Sequence, residues 1–238
     1  MSTQRPRPDE QEYDLLPYTR ARKAIGDRTR QSITEKPQFW MSTQVDATAL
    51  VEVRAAMRGS GADAVPSYND YVIKVVALTL RDHPRFNAWV AEDGLHVLKH
   101  VNIGFAVATD EGVLLPAVMD ADTKPLAVIS EETKERINLA RAGKLRASLQ
   151  MGASFTISNI GPTDVDAFNA IISPPQTGIL AVGSLKARPV VVGDELVARK
   201  TMTLTLSVDH AAADGADGAK FLVDVKGRLE SKALLDSL

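Results

Sequence analysis

Residues 201–215 read TMTLTLSVDHAAADG, an alternating run that ends in a histidine and three alanines. Strict alternation over 201–208 predicts a strand with one apolar, buried face, made of Met202, Leu204, Leu206 and Val208. His210 has the same parity, so we predict that it leaves the strand on the side facing the interior. Asp214, four residues further on, is a predicted helix N-cap.

This arrangement of His210 has two interpretations. A lone buried histidine usually does no more than satisfy a backbone group. A histidine at a strand-to-helix corner, with small neighbours and a nearby carboxylate, has the parts of an oriented general base. The sequence context favours the second interpretation.

Helix and strand patterns follow one another irregularly along the rest of the chain. Helices are predicted over residues 18–33, 48–58, 67–83, 125–142 and 218–235. Strands are predicted over residues 39–46, 95–108, 113–118, 154–158, 178–182, 190–192 and 196–208. Because a strict βαβα rhythm is missing, this order favours an α/β sandwich with a mixed sheet over a doubly wound fold.

Composition excludes several classes of protein. The 238 residues are 45% hydrophobic, which suffices for one core, and we predict a flexible tail over residues 1–14 and a single domain over residues 15–238. A net charge of −2 with interspersed signs argues against nucleic acid or a membrane as partner. The sequence contains no cysteine, so thiolate nucleophiles, disulfides and cysteine metal sites are excluded.

The sequence also indicates where the protein works and which histidines lie outside the site. No apolar run approaches the roughly 20 residues of a membrane span, and the first ten residues lack the apolar centre of a signal peptide. We therefore expect a cytoplasmic protein. His83, His96 and His100 lack the spacing of a metal site, so we expect no metal and place all three on the surface or in loops.

Several blocks of sequence, taken in order, resemble the catalytic domain of the acyltransferase component of 2-oxoacid dehydrogenase complexes. Residues 209–215, DHAAADG, resemble its signature Asp-His-Arg-x-x-Asp-Gly, and residues 155–161, FTISNIG, resemble its Phe-Thr-Ile-Ser-Asn-Leu-Gly strand. The other blocks are RKAI at 22–25 with Arg28, VNIG at 101–104, GVLLP at 112–116, SPPQ at 173–176 and ILAVG at 179–183. The resemblance extends from about Leu15 to Leu229, and the ordered set is highly specific.

The resemblance implies a chloramphenicol acetyltransferase-like fold, a two-layer sandwich with a mixed sheet, assembled as a homotrimer. It implies that His210 deprotonates an acceptor thiol or hydroxyl, which then attacks the acyl-CoA thioester without an acyl-enzyme. Ser158 is implied to donate a hydrogen bond to the oxyanion, although its parity also fits a plain solvent-facing strand residue. Asp214 is implied to fix local structure through an ion pair with Arg22, or as a plain helix cap, with Asp209 as a further supporting residue.

In such a trimer each active site lies in a channel between two subunits. His210 of one subunit then meets Ser158 of its neighbour, while coenzyme A enters from one side and the acceptor from the other. Acyl-CoA is the expected substrate, acetyl the default group, and no lipoate is expected to be attached to this chain. By type, further residues fit either the acceptor pocket or ordinary core: Phe39, Trp40, Phe105, Met119 and Phe168.

Three departures from the family pattern bear on the acceptor. The sequence begins at Met1 almost directly with the catalytic domain and shows no lipoyl domain, subunit-binding domain or linker; Ala211 replaces the usual arginine; and the C-terminal segment 231–238 is short. Chloramphenicol acetyltransferase also has an alanine after its catalytic histidine. These features favour a free-standing trimer that O-acylates a small-molecule hydroxyl in a biosynthetic pathway. Two alternatives stay open: the catalytic core of a dihydrolipoyl acyltransferase of a 2-oxoacid dehydrogenase complex, and a trimeric scaffold without catalysis.

Overall fold

A computed structural model describes residues 13–61 and 64–238, so most of the predicted N-terminal tail lies outside the described residues. The helices are α1 Arg20–Glu35, α2 Thr48–Gly59, α3 Tyr68–Asp82, α4 Leu126–Arg141, α5 Gly215–Glu230 and α6 Lys232–Asp236, with a short 3-10 helix at Ala147–Gln150. The strands are β1 Gln38–Asp46, β2 Ala88–Ala91, β3 Gly94–Val97, β4 Ile103–Phe105, β5 Val107–Thr109, β6 Gly112–Leu114, β7 Ala117–Val118, β8 Phe155–Asn159, β9 Gly178–Val182, β10 Lys186–Val192 and β11 Glu195–Asp209. No helix in the described ranges is both long and apolar enough to span a membrane.

Seven strands form the main sheet, in the order β1-β11-β9-β8-β4-β7, with β10 also paired to β11. Strands β8 and β9 are parallel to each other, and β4 is parallel to β8, whereas β11 is antiparallel to β1, β9 and β10. The sheet is therefore mixed, as predicted. Two hairpins, β2–β3 and β5–β6, lie outside it.

Helices cover one face of the sheet, and the apolar face of β11 packs against them. Met202, Leu204, Leu206 and Val208 are all buried, as their alternation predicts. Aromatic rings fill the space between the layers: Phe221 of α5 stacks on Phe86, with ring centroids 4.7 Å apart, and lies 5.6 Å from Phe155 of β8. These contacts form the two-layer sandwich that the sequence predicts.

The opposite face of β11 is not open to solvent, although its polar residues suggest it. Thr205 and Ser207 are each 1% exposed. The long connection from β8 to β9, residues 160–177, runs over this face, and the Ser207 hydroxyl donates to the Ala170 carbonyl at 2.7 Å. The Thr205 hydroxyl bonds instead to Ser42 of β1 at 2.8 Å, so the polar side chains of this face have partners within the fold.

Three predicted elements are interrupted in the structure. Residues 95–108 form β3, β4 and β5 instead of one strand, and each piece has a different partner: β3 pairs with β2, β4 with β7 and β8, and β5 with β6. Residues 113–118 divide at Pro116 into β6 and β7. The final helix ends at Glu230, where Ser231 accepts the Leu234 N–H and begins α6. Pro116 and the capping Ser231 account for the second and third of these breaks, and the first is a change of pairing partner.

Gly183 lies directly after β9, where the covering loop crosses the chain. A Cβ at this position would lie 1.9 Å from the Asp166 carbonyl oxygen. We expect Gly183→Ala to lower the free energy of unfolding by about 1–3 kcal/mol, because the loop must move to relieve the overlap.

Urea unfolding measures this effect, and Gly227→Ala is the matched control. Gly227 lies in α5, and a Cβ added there would meet no atom within 4 Å beyond its own helix and chain neighbours, so alanine should keep or raise stability by about 0.5–1 kcal/mol. Equal unfolding midpoints for the two variants would contradict the close crossing at Gly183.

Candidate active site

His210 follows the last residue of β11 and lies at the protomer surface. Its backbone N–H donates to the Pro37 carbonyl at 2.9 Å, and its ring lies 4.8 Å from the Phe39 ring, centroid to centroid. The side chain is exposed, and its ring nitrogens form no hydrogen bond within the part of the chain that the structure describes. The prediction that His210 faces the interior of its own chain is therefore wrong, because the turn after Asp209 ends the strand's alternation.

Asp209 holds the turn that carries His210. It is 1% exposed, and its carboxylate accepts from Lys36 Nζ at 2.6 Å and from the Ala211 N–H at 3.0 Å. Its carbonyl accepts the N–H groups of Ala212 and Ala213 at 2.9 and 3.3 Å. The predicted supporting residue thus has a defined place, whereas its partner Lys36 was missed, because a lysine 173 positions away gives no local pattern.

Asp214 is the N-cap of α5, which is the helix-cap alternative of the prediction. Its carboxylate accepts the N–H groups of Ala216 and Asp217 at 2.8 and 3.0 Å. The ion pair with Arg22 does not form within the described chain: Arg22 is exposed on α1, and the Asp214 oxygen is taken up by helix N–H groups. The backbone N–H groups of Asp217 and Ala216 lower the pKa of Asp214, with a further contribution from the nearby His210.

The lowered pKa of Asp214 predicts a pH-dependent contribution to stability. Because its folded pKa lies below the unfolded value of about 3.9, ionised Asp214 stabilises the protein above that pH, and the contribution is lost as pH falls through the folded pKa. Asparagine caps a helix without charge. We expect a higher Tm for the wild type than for Asp214→Asn near neutral pH, with the gap closing below about pH 4. A gap independent of pH would contradict the charge contribution.

Ser158 lies near the end of β8, on the face of the sheet turned away from the helices. Its neighbour Ile157 is fully buried against the helical layer, while Ser158 is half-buried, and its hydroxyl has no hydrogen-bond partner among the described residues. Asn159 fixes the strand end, since its amide donates to Asn69 of α3 at 2.9 Å and its oxygen accepts the Gly161 N–H at 2.7 Å. The end of β8 is thus fixed by hydrogen bonds, and the Ser158 hydroxyl that it carries can donate a hydrogen bond to a bound substrate.

Ser158 and His210 of one chain do not meet. Ser158 is in register with Ala181 of β9, and Ala181 with Thr205 of β11, so His210 lies two strands across and five residues further along. At about 4.8 Å per strand and about 3.3 Å per residue, the two positions are separated by roughly 19 Å. One chain therefore cannot bring both side chains to the same substrate atom.

The remaining predicted residues have simpler places. His96 and His100 are exposed, and His83 lies in the connection after α3, as predicted, with its ring largely buried against Phe221 at 5.5 Å between ring centroids. Phe39 contacts His210 and Phe105 is core, while Trp40 and Met119 are exposed. Over residues 13–61 and 64–238, no group of three or more histidine or acidic side chains is arranged to hold a metal ion.

The mixed sheet with helices on one face is the chloramphenicol acetyltransferase-like fold. A chloramphenicol acetyltransferase superimposes with a TM-score of 0.54 at 14% identity, covering 89% of this chain and 95% of that one. The family model of the 2-oxoacid dehydrogenases acyltransferase (catalytic domain) matches residues 10–235. The chain therefore belongs to this acyltransferase family.

Two relatives from different organisms share one protein name. The dihydrolipoyllysine-residue acetyltransferase component of the pyruvate dehydrogenase complex is 38% identical in Rickettsia bellii and 36% identical in Rhizobium meliloti, over 94% and 92% of this chain. The aligned part makes up 54% and 50% of those proteins, so the chain spans about half the length of these relatives.

A solved structure shares the fold closely. The Azotobacter vinelandii dihydrolipoamide acetyltransferase superimposes with a TM-score of 0.91 at 30% identity, covering 96% of each chain. The roles of a serine, a histidine and an asparagine in its catalytic mechanism have been investigated. Those residues have the separations of Ser158, His210 and Asp214: 52 positions from serine to histidine and four from histidine to the third residue.

Proposed function

We propose that this chain is the catalytic unit of a dihydrolipoyl acetyltransferase, which moves an acetyl group between coenzyme A and a dihydrolipoyl thiol. The observation that carries the proposal is the serine–histidine pair, which keeps the separation found in the Azotobacter vinelandii enzyme. An exposed imidazole and a free hydroxyl at fixed backbone positions support it.

The proposed mechanism is direct transfer in a ternary complex. The imidazole of His210 takes the proton of the acceptor thiol, and the thiolate sulfur attacks the carbonyl carbon of acetyl-CoA. The Ser158 hydroxyl donates to the oxyanion, where charge develops only in the transition state. When the intermediate collapses, the carbon–sulfur bond to coenzyme A breaks, and the departing thiolate takes the proton back from His210.

We propose that the site forms between two subunits of a homotrimer. The roughly 19 Å between Ser158 and His210 within one chain supports this arrangement, since a hydroxyl and a base must both lie within about 3 Å of reacting atoms. A neighbouring copy supplies the serine for each histidine. A closed ring of such heterologous contacts gives equal sites, one per subunit contact.

The proposal also specifies which group accepts the acetyl group. The comparisons favour a dihydrolipoyl thiol, because the relatives are named as dihydrolipoyllysine-residue acetyltransferases. They do not support the small-molecule hydroxyl in a biosynthetic pathway that the sequence favours. Ala211 stands where the family usually has arginine, and for this reason hydroxyl acceptors are included in the experiment below.

The experiment is an acceptor competition with acetyl-CoA as donor. The full chain receives dihydrolipoamide, free dihydrolipoyl domain from a pyruvate dehydrogenase complex, or a panel of hydroxylated small molecules, and release of free coenzyme A is followed. We expect turnover with both dihydrolipoyl acceptors and none with the hydroxyl panel. Turnover with a hydroxyl acceptor alone would overturn the proposal in favour of an O-acetyltransferase, and no turnover with any acceptor would favour a scaffold.

A further inference from the structure

We propose that Lys36 is a positioning residue for His210 and acts through Asp209. The inference rests on the proposed function in one respect, namely that His210 is the catalytic base. The observations that carry it are the contacts between the α1–β1 junction, residues 36–39, and the histidine turn, residues 209–211.

Lys36 and Asp209 form a buried ion pair. The two side chains are 7% and 1% exposed, and Nζ lies 2.6 Å from Oδ2. The second carboxylate oxygen accepts the Ala211 N–H at 3.0 Å, and the Asp209 N–H donates to the Thr177 carbonyl at 2.9 Å. Asp209 is thus held by three contacts: its carboxylate binds Lys36 and the Ala211 N–H, and its own N–H binds the residue that precedes β9.

The junction contacts the histidine in two further ways. The Pro37 carbonyl accepts the His210 N–H at 2.9 Å, and the Phe39 ring lies against the imidazole at 4.8 Å. Lys36 itself is fixed as the C-cap residue of α1, where its N–H donates to the Ser32 carbonyl at 3.1 Å. The backbone that carries the Lys36 ammonium is therefore fixed by the end of α1. The carboxylate that this ammonium binds belongs to Asp209, the first residue of the turn that carries His210.

Stability alone is a poor reason for such a pair. Desolvation of two buried charges offsets most of their attraction, and apolar residues of similar size often serve as well. Geometry is a better reason, because a carboxylate released from Lys36 would seek other donors and shift the turn. A displacement of about 1 Å at a reacting group can cost about 10²-fold in rate.

The first test compares Lys36→Met, Lys36→Met/Asp209→Asn and Lys74→Met in the intact protein. Lys74 is the matched control, because it is also 7% exposed and its Nζ donates to the Asp122 and Lys124 carbonyls at 2.7 Å, outside the site. The double variant removes both charges and should recover the stability lost in Lys36→Met. We expect its kcat to stay about 10–10²-fold below wild type with KM for acetyl-CoA within about twofold, while Lys74→Met keeps wild-type kcat.

The second test needs no turnover and therefore separates this inference from the proposed function. The sequence has four histidines, so ¹³C-histidine labelling with His210→Ala as the assignment control isolates the His210 ring signal. We expect one sharp His210 signal in the wild type and in Lys74→Met, and a shifted or multiplied signal in the double variant. An unchanged His210 signal in the double variant would overturn the proposal, whether or not the protein turns over.

Discussion

His210→Ala is expected to lower kcat for acetyl transfer by roughly 10²–10⁴-fold, which is the contribution of a general base. The imidazole has no hydrogen bond within the described chain, so its removal leaves no internal donor or acceptor unpaired. The fold should persist, and KM for acetyl-CoA should change little. Steady-state release of coenzyme A with dihydrolipoamide measures the loss, and thermal unfolding checks the fold.

The matched control for His210→Ala is His96→Ala. His96 is also exposed and pairs with Asp93 at 2.7 Å in the β2–β3 hairpin, away from the turn that carries His210. It should keep the wild-type rate within about twofold. Comparable kcat values for wild type and His210→Ala would remove the histidine from the mechanism.

Ser158→Ala is expected to lower kcat by roughly 10²–10³-fold, because one donor to the developing oxyanion is lost. Stability should be almost unchanged, since the hydroxyl has no partner within the described chain. Ser42→Ala is the control: Ser42 lies in the same row across the sheet and bonds to Thr205 at 2.8 Å, so it tests the loss of a strand hydroxyl outside the site. A rise in KM with an unchanged kcat would instead assign Ser158 to substrate binding.

Mixing the two inactive variants tests the site between subunits. The trimers are refolded from equal amounts of His210→Ala and Ser158→Ala chains. A site between two subunits is intact when the subunit that supplies the histidine is a Ser158→Ala chain and the subunit that supplies the serine is a His210→Ala chain. Random assortment makes about a quarter of the contacts intact, so about a quarter of the wild-type rate should return. Recovery no greater than the sum of the two separate variants would contradict a shared site.

Part of the fold is evident in the sequence because it depends on local periodicity. The alternation from Met202 to Val208 correctly predicts the buried face of β11, and the helix predicted over residues 67–83 is found as α3. Elements set by distant contacts were missed. At Ala106 the chain passes from β4, which pairs with β8, to β5, which pairs with β6, and no local pattern in the sequence predicts this change of partner.

The candidate site divides in the same way. The helix-cap role of Asp214 follows from its position before α5, because capping is a local interaction. The orientation of His210 could not follow from strand parity, since the strand ends one residue earlier. Lys36 could not be found at all without the register that places Gln38 opposite Asp209 and so brings the end of α1 to the histidine turn.

The separation of Ser158 and His210 across the sheet has a consequence for how the protein works in solution. A single folded chain holds Ser158 and His210 towards opposite ends of the sheet's strands, so under the proposed function one chain alone should show no acetyl transfer. Activity per chain should then rise with protein concentration and fall on dilution without any unfolding. Under the proposed function, a newly synthesised chain would not react with acetyl-CoA until it had assembled with its neighbours, so assembly would act as the activating step.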